Sequence, residues 1–273
     1  MPELPDLEVV KEYLQRRLPG QRIEMVELLR PIVMRNLTAG DTVSSLVGRR
    51  FVAVGRRGKF LILELDDGLN LVINPMLAGR LQYRGEGERR RARTYLVLQL
   101  SGGVDLRYVD DKAMGKIYLT REAGSVPGFD SQGPEALDPQ LTLDIFRERL
   151  RRRRGELKGI LTNQAFLAGI GNAYADEILF RARLYPFRKR PSLSLEEVER
   201  LYSAIPSVLS EAISTLRDRL GSDIDVEIRD FLQVHGKGGS PCPRCGTTIS
   251  EVRARGRLTN FCRTCQPGRM IRG

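Results

Sequence analysis

All four cysteines lie near the carboxyl end, as Cys242-Pro-Arg-Cys245, sixteen residues, then Cys262-Arg-Thr-Cys265. C-x2-C-x16-C-x2-C lies within the spacing by which four thiolates take one tetrahedral zinc. Four sulfurs close the coordination sphere and leave no position for a substrate water, so the pattern predicts one structural Zn2+ and disfavours metal catalysis. Disulfides are the alternative, and they belong to oxidising compartments. A second stretch, Gln164 to Asn172 (QAFLAGIGN), sets two glycines between segments of helical periodicity. A tight turn there aims backbone N–H groups at the start of the next helix, where they can hold one phosphate with the Asn172 amide as a further donor; a plain helix–helix turn is the alternative. At the other end the chain reads Met1-Pro2-Glu3-Leu4-Pro5-Asp6, so trimming one methionine leaves an imino acid first, with a carboxylate behind it. His235 is the only histidine and sits at the entry to the cysteine segment, which argues against a Ser-His-Asp or His-metal catalyst. The Asp110-Asp111 pair falls on a turn among basic residues, a poor start for a two-metal nuclease.

Charge narrows the partner. The 45 Lys and Arg against 34 Asp and Glu leave +11, concentrated in a run at Arg151 to Arg154 and in six arginines, with no carboxylate, from Val252 to Gly273. Guanidinium forks match phosphate oxygens, which favours nucleic acid. A membrane surface is the rival anion, but no basic helix with bulky aromatics occurs and Trp is absent. Apolar runs such as Phe60 to Leu63 are far short of the roughly 20 residues that span a bilayer, and no secretory signal precedes the first helix. A soluble intracellular protein is expected, and 41% hydrophobic residues suffice for a core.

These groups need a scaffold. Leu7, Val10, Leu14 and Leu18 recur near helical spacing, predicting a helix over Asp6 to Leu18 capped by Asp6. Short strand-like segments follow: RIEMVELL, RRFVAVG, KFLILEL, LNLVINP, RTYLVLQL and VDLRYV. Turns at Asp66-Asp67-Gly68 and Ser101-Gly102-Gly103 imply hairpins and antiparallel pairing. Gly124 to Pro139 reads as a linker; beyond it Leu141 to Leu150, Leu157 to Gln164, Asn172 to Ala182 and Leu195 to Leu216 carry helical periodicity. Ile249 to Arg253 and Arg257 to Phe261 alternate like a hairpin between the cysteine pairs, holding Arg255 and Arg257 outward. The expected fold is α+β with two main domains: a β-sandwich domain over 1–123, a linker over 124–139, and a helical domain over 140–235 that carries the cysteine finger, 236–273.

Four separated motifs in one order resemble the formamidopyrimidine-DNA glycosylase and endonuclease VIII family: the amino-terminal PELP, Gly58-Lys59-Phe60 at a strand start, QxxxAGIGNxYxxE between helices, and GR-x-T-x-F-C-x-x-C-Q in the finger. The likeness covers essentially the whole chain, and PELP leans toward the formamidopyrimidine branch. It implies an antiparallel β-sandwich with an N-terminal helix, a helix-two-turn-helix domain and a zinc finger hairpin. It implies a monomeric base excision repair enzyme of the bacterial cytoplasm and nucleoid that flips damaged bases out of duplex DNA. A zinc-containing DNA-binding or damage-sensing protein without catalysis is the alternative.

By that resemblance Pro2, freed of Met1, is the nucleophile, Glu3 moves protons at the sugar ring oxygen, and Lys59 binds backbone phosphate and holds the amine unprotonated by like-charge repulsion. Lys158, Asn172 and Arg257 fall on phosphate-binding positions. Where the family has H-x-G-M-x-G this chain reads Asn74-Pro75-Met76-Leu77-Ala78-Gly79, so the void filler falls on Leu77 with Met76 adjacent. Where the family has D-P-R-R-F-G it reads Asp110-Asp111-Lys112-Ala113-Met114-Gly115: Lys112 stands in place of the arginine that reads the orphaned base, and Met114 in place of the wedging phenylalanine. An ammonium cannot make the planar two-pronged contact of guanidinium, which predicts altered or broadened choice of opposite base and lesion. Gly221 to Phe231 takes the place of the lesion-covering loop.

Overall fold

The structure, a computed structural model, describes residues 1–254 and 256–268. The chain forms two compact units, Met1–Asp130 with Ile213–Glu227, and Ser131–Ala212 with Ile228–Gly273. The boundary at Asp130 falls inside the expected linker, and Ile213–Glu227, expected in the helical domain, belongs to the first unit.

The first unit opens with α1, Leu4–Gln15. It starts two residues before the expected helix because Glu3, not Asp6, is its N-cap. The Glu3 carboxylate accepts the Asp6 N–H, and Asp6 Oδ2 accepts the Glu3 N–H at 2.8 Å, a reciprocal box that satisfies two helix-end donors. Pro5 is tolerated because the first turn has no partner for its missing N–H. The strands and one short helix follow as β1 (Ile23–Leu28), β2 (Met34–Asn36), α2 (Thr42–Leu46), β3 (Phe51–Arg57), β4 (Phe60–Leu65), β5 (Asn70–Asn74), β6 (Gly79–Gly85), β7 (Thr94–Leu100), β8 (Val104–Asp110) and β9 (Lys116–Thr120). They pair as two sheets, β1-β7-β8-β6 and β2-β9-β5-β4-β3. Pairing is antiparallel except for β2 beside β9, which run parallel, against the expectation of antiparallel partners throughout. Leu63, Leu71 and Ile117 from one sheet meet Leu98, Leu106 and Tyr108 from the other in a continuous core that also takes in Leu7 and Leu14 of α1. This is the expected sandwich.

The second unit carries α3 (Leu143–Arg151), α4 (Leu157–Leu161), α5 (Asn172–Arg181) and α6 (Leu195–Leu220), the last contributing its residues from Ile213 onward to the first unit. Phe146, Phe166 and Phe180 are fully buried, and Phe146 packs at 5.7 Å from Phe166 and 5.5 Å from Tyr202. The finger hairpin is β10 (Ser250–Ala254) paired with β11 (Arg257–Phe261). Cys242, Ile249 and Cys262 share a small core with Phe180 of α5. Arg255, expected at the hairpin tip, lies outside the described residues. Among the described residues no helix is long and apolar enough to cross a membrane.

Candidate active site

Pro2 is buried at the head of α1 and lines a pocket with Asp6, Leu7, Arg80, Tyr108, Ile224 and Glu227. Glu3 is 2% exposed, so a carboxylate sits out of water one residue from the imino acid. α1 packs on β3 and β4, whose two-residue turn holds Lys59 half-buried. Gly58 there has φ 53°, the positive value that a tight hairpin turn requires of its first central residue and that glycine adopts without strain. Arg56 ties this turn to α1, donating from Nη1 to the Gly58 carbonyl at 2.9 Å and from Nε to Glu8 Oε2 at 2.7 Å. Burial would raise the Glu8 carboxyl, but hydrogen bonds from Lys11 and Arg56 outweigh it and hold it below the usual range.

Of the two wedge segments, the first lines the same pocket through Pro75 and Gly79. Met76, Leu77 and Met114 are each about two-fifths exposed (39%, 40% and 40%), and Lys112 is exposed beside them. Exposed, these side chains are available for contact with a partner. Met76 and Ala113 lie at φ 49° and 55°, strained conformations for residues with a Cβ, one in each segment. What holds them is Tyr108, which no motif singled out. Its ring is buried, and its hydroxyl lies 1.7 Å from where a Cβ on Gly115 would be and 2.2 Å from one on Gly79. Asp110, fully buried, accepts the Gly115 N–H at 2.7 Å and the Lys112 N–H at 2.9 Å, and takes the Tyr108 hydroxyl at 3.4 Å. Burial, then the adjacent Asp110 charge, pushes the Tyr108 phenol up, so it stays a donor. Only glycine at 79 and 115 lets both segments close on that hydroxyl.

In the second unit the turn before α5 is clamped by Gln164, which donates to the Ile170 carbonyl at 2.8 Å and accepts the Gly169 N–H at 2.9 Å. Asn172 opens α5 and donates Nδ2 to the Leu258 carbonyl of β11 at 2.8 Å. Arg257 is exposed and reaches Thr162 Oγ1 at 3.1 Å. Lys158 departs from expectation. It is 6% exposed, and its Nζ meets the Leu258 carbonyl at 2.6 Å, Thr259 Oγ1 at 2.9 Å and Asp176 Oδ1 at 2.6 Å. The ammonium is therefore turned inward, hydrogen-bonded to β11 and ion-paired with Asp176. Asp176, fully buried, also accepts the Asn260 N–H at 3.1 Å and lies 2.8 Å from His235 Nδ1, which gives the single histidine a packing role. Glu177 accepts the N–H groups of Gln233, Val234 and His235; burial nevertheless raises its carboxyl.

Among the described residues the four cysteine sulfurs lie within 4.8 Å of one another, with Cys242 Sγ 3.9 Å from Cys265 Sγ and Cys245 Sγ 3.5 Å from Cys262 Sγ. A tetrahedron with Zn–S bonds of about 2.3 Å has edges of about 3.8 Å, so the group fits zinc. A disulfide needs about 2.05 Å, and all four cysteines are free. Hydrogen bonds from Thr247 bring Cys245 down to about 6, and desolvation pushes Cys265 up to about 12.

A sandwich unit with a buried carboxylate at its head, a helical unit with a glycine turn and a four-thiolate finger follow one another as in the DNA glycosylases of base excision repair. Residues 1–117 match the formamidopyrimidine-DNA glycosylase N-terminal domain, 132–222 its H2TH domain, and 239–268 the zinc finger found in FPG and IleRS. The chain belongs to the formamidopyrimidine-DNA glycosylase family. It is 43% identical to the formamidopyrimidine-DNA glycosylase of Heliobacterium modesticaldum over 97% of this chain and 100% of that one, and 37% identical to that of Pelotomaculum thermopropionicum over 97% and 99%. Among solved structures it is similar to the Lactococcus lactis Fpg in complex with DNA containing an abasic site (TM-score 0.88, 30% identity, 97% of this chain and 100% of that one). It is also similar to the Thermus thermophilus Fpg protein (TM-score 0.84, 34% identity, 97% and 98%).

Proposed function

We propose that this chain excises damaged bases from duplex DNA and cuts the strand at the same site through a Schiff base on Pro2. The observation that carries this reading is the placement of Pro2 in a pocket with the buried Glu3 carboxylate directly behind it. With Met1 removed, the Pro2 secondary amine attacks C1′ of an extruded nucleotide, and the C1′–base bond breaks with its electrons leaving on the base. Ring opening, with O4′ protonated by Glu3, gives an iminium ion. That electron sink acidifies C2′, so the 3′ phosphate leaves by β-elimination and the 5′ phosphate by δ-elimination. Lys59 binds the neighbouring phosphate. Leu77, Met76 and Met114 fill the space the nucleotide vacates, offsetting the few kcal/mol of lost stacking. Lys112 faces the orphaned base as a point charge, which supports broadened choice of opposite base.

Phosphates are held by Arg257 and by Asn172 at the positive start of α5, with Lys158 acting one step back as the strut that fixes β11. A Zn2+ on the four cysteines supplies rigidity to the hairpin and no chemistry. On this reading the chain works as a monomer on nucleoid DNA; its bacterial relatives and its excess of arginine support bacterial DNA as the partner.

Borohydride trapping of the Met1-trimmed chain on duplexes carrying 8-oxoguanine, a ring-opened purine, thymine glycol or an abasic site tests this. A covalent protein–DNA band is expected with the abasic duplex and with at least one lesion. No band on any duplex, abasic included, would overturn it.

A further inference from the structure

The segment after α6 does not hang over the pocket as a loose cover. Asp225 accepts Gln82 Nε2 at 2.7 Å, Arg84 Nη2 at 3.1 Å and Arg91 Nη1 at 3.3 Å, and Ile224, 3% exposed, is set into the sandwich core. Two residues beyond this anchor, Glu227 lines the Pro2 pocket. Its Oε2 receives Arg80 Nη2 at 2.6 Å, and its Oε1 receives the amine of Met1 at 3.1 Å. Arg80 also donates Nη1 to the Gly79 carbonyl at 2.8 Å, so the guanidinium that aims the carboxylate is itself fixed to the start of β6. The Met1 amine stands in for the terminal nitrogen of the trimmed chain. Removing one residue moves that nitrogen back by at most about 3.6 Å, a gap that the glutamate side chain, with three rotatable bonds, can close.

We propose that Glu227 is the proton acceptor for the Pro2 nitrogen. The inference rests on the reading of Pro2 as nucleophile. When the secondary amine has bonded to C1′ and the base has left, the nitrogen carries a positive charge and its one hydrogen. To become an iminium it must give up that proton: the N–H electron pair forms the second C=N bond as the C1′–O4′ bond breaks and O4′ takes a proton. A carboxyl group that donates to O4′ faces the ring oxygen, and the nitrogen's proton is best taken by a second base on the amine's own side. Glu3 serves O4′, and Asp6, the other acid lining the pocket, accepts the Glu3 N–H in the helix cap. Glu227 is the carboxylate already turned toward the terminal amine. Its side chain is 37% exposed, so its replacement leaves the core intact.

Single-turnover borohydride trapping of the Met1-trimmed, zinc-loaded chain on an abasic duplex tests the assignment, with duplex affinity measured alongside. Glu227→Gln and Glu227→Ala should each slow trapping on the order of 10²-fold at unchanged affinity, the typical contribution of a positioned acid–base group. Added formate should restore part of the rate of Glu227→Ala and none of Glu227→Gln. Trapping at the rate of the unmutated chain in either variant, or a loss in Glu227→Ala that formate does not relieve, would overturn the role of Glu227. Absence of trapping in the unmutated chain would instead strike the Pro2 reading beneath it.

Discussion

Gly115→Ala places a methyl group 1.7 Å from the Tyr108 hydroxyl and 3.0 Å from Asp110 Oδ2. Ordinary contact begins near 3.4 Å, so the ring or the 110–115 segment must move by about 1.7 Å. Nor is there room at Gly79: the hydroxyl is 2.2 Å from where its Cβ would stand, so the Gly79 backbone itself is already in contact with that oxygen. Overpacking a closed site costs about 1–3 kcal/mol, and with escape blocked on both sides the upper end applies, about 3 kcal/mol. At roughly 2–4 °C per kcal/mol for a domain of this size, Tm should fall by about 6–12 °C in thermal unfolding followed by circular dichroism. Tyr108→Phe removes the offending oxygen and leaves ring carbon about 3.0 Å away, so the double variant should recover most of the loss, a coupling a double-mutant cycle reads directly. A Gly115→Ala protein as stable as the parent, or a double variant no more stable than Gly115→Ala alone, would refute the view that the hydroxyl locks the two wedge segments together.

Lys158→Met should destabilise the second unit by about 3–5 kcal/mol, because it strands the buried Asp176 charge, while leaving the salt dependence of DNA binding unchanged; a salt slope shallower by about 1 would return Lys158 to the phosphate contacts. Arg257→Ala should weaken binding to all duplexes alike and reduce that slope by about 1, and a loss confined to one lesion in equilibrium titrations would refute a phosphate role. Zinc chelation should unfold the finger and abolish tight DNA binding, since metal affinity there is folding free energy; unchanged circular dichroism and affinity after chelation would count against the four-thiolate site.

Much of the site was legible because it is written locally. Pro2-Glu3, the glycine turn and the paired cysteines each carry their chemistry within a few residues. What was not legible depends on partners distant in the chain. β6 was missed because Arg80, Gln82 and Arg84 give it a polar face that looks solvated; the carboxylates that cover that face, Asp225 and Glu227, come about 140 residues later. Lys158 falls on a phosphate-binding position by the resemblance, and only the meeting of α4 with Asp176 and β11 shows its side chain turned inward. An acid before an apolar run is the usual cap signal and points to Asp6, whereas Glu3 caps and Asp6 answers it. Tyr108 gave no signal at all, since a tyrosine in a strand ordinarily fills core.

Leu258 receives two donors, Lys158 and Asn172, on its backbone carbonyl rather than on its side chain. Attachment of the finger is therefore indifferent to which amino acid stands at 258 but intolerant of any change in strand alignment. Swapping that leucine for another residue leaves both donors their acceptor. Adding or deleting one residue in the hairpin's tip would turn the carbonyl to the opposite face and cut both tethers at once.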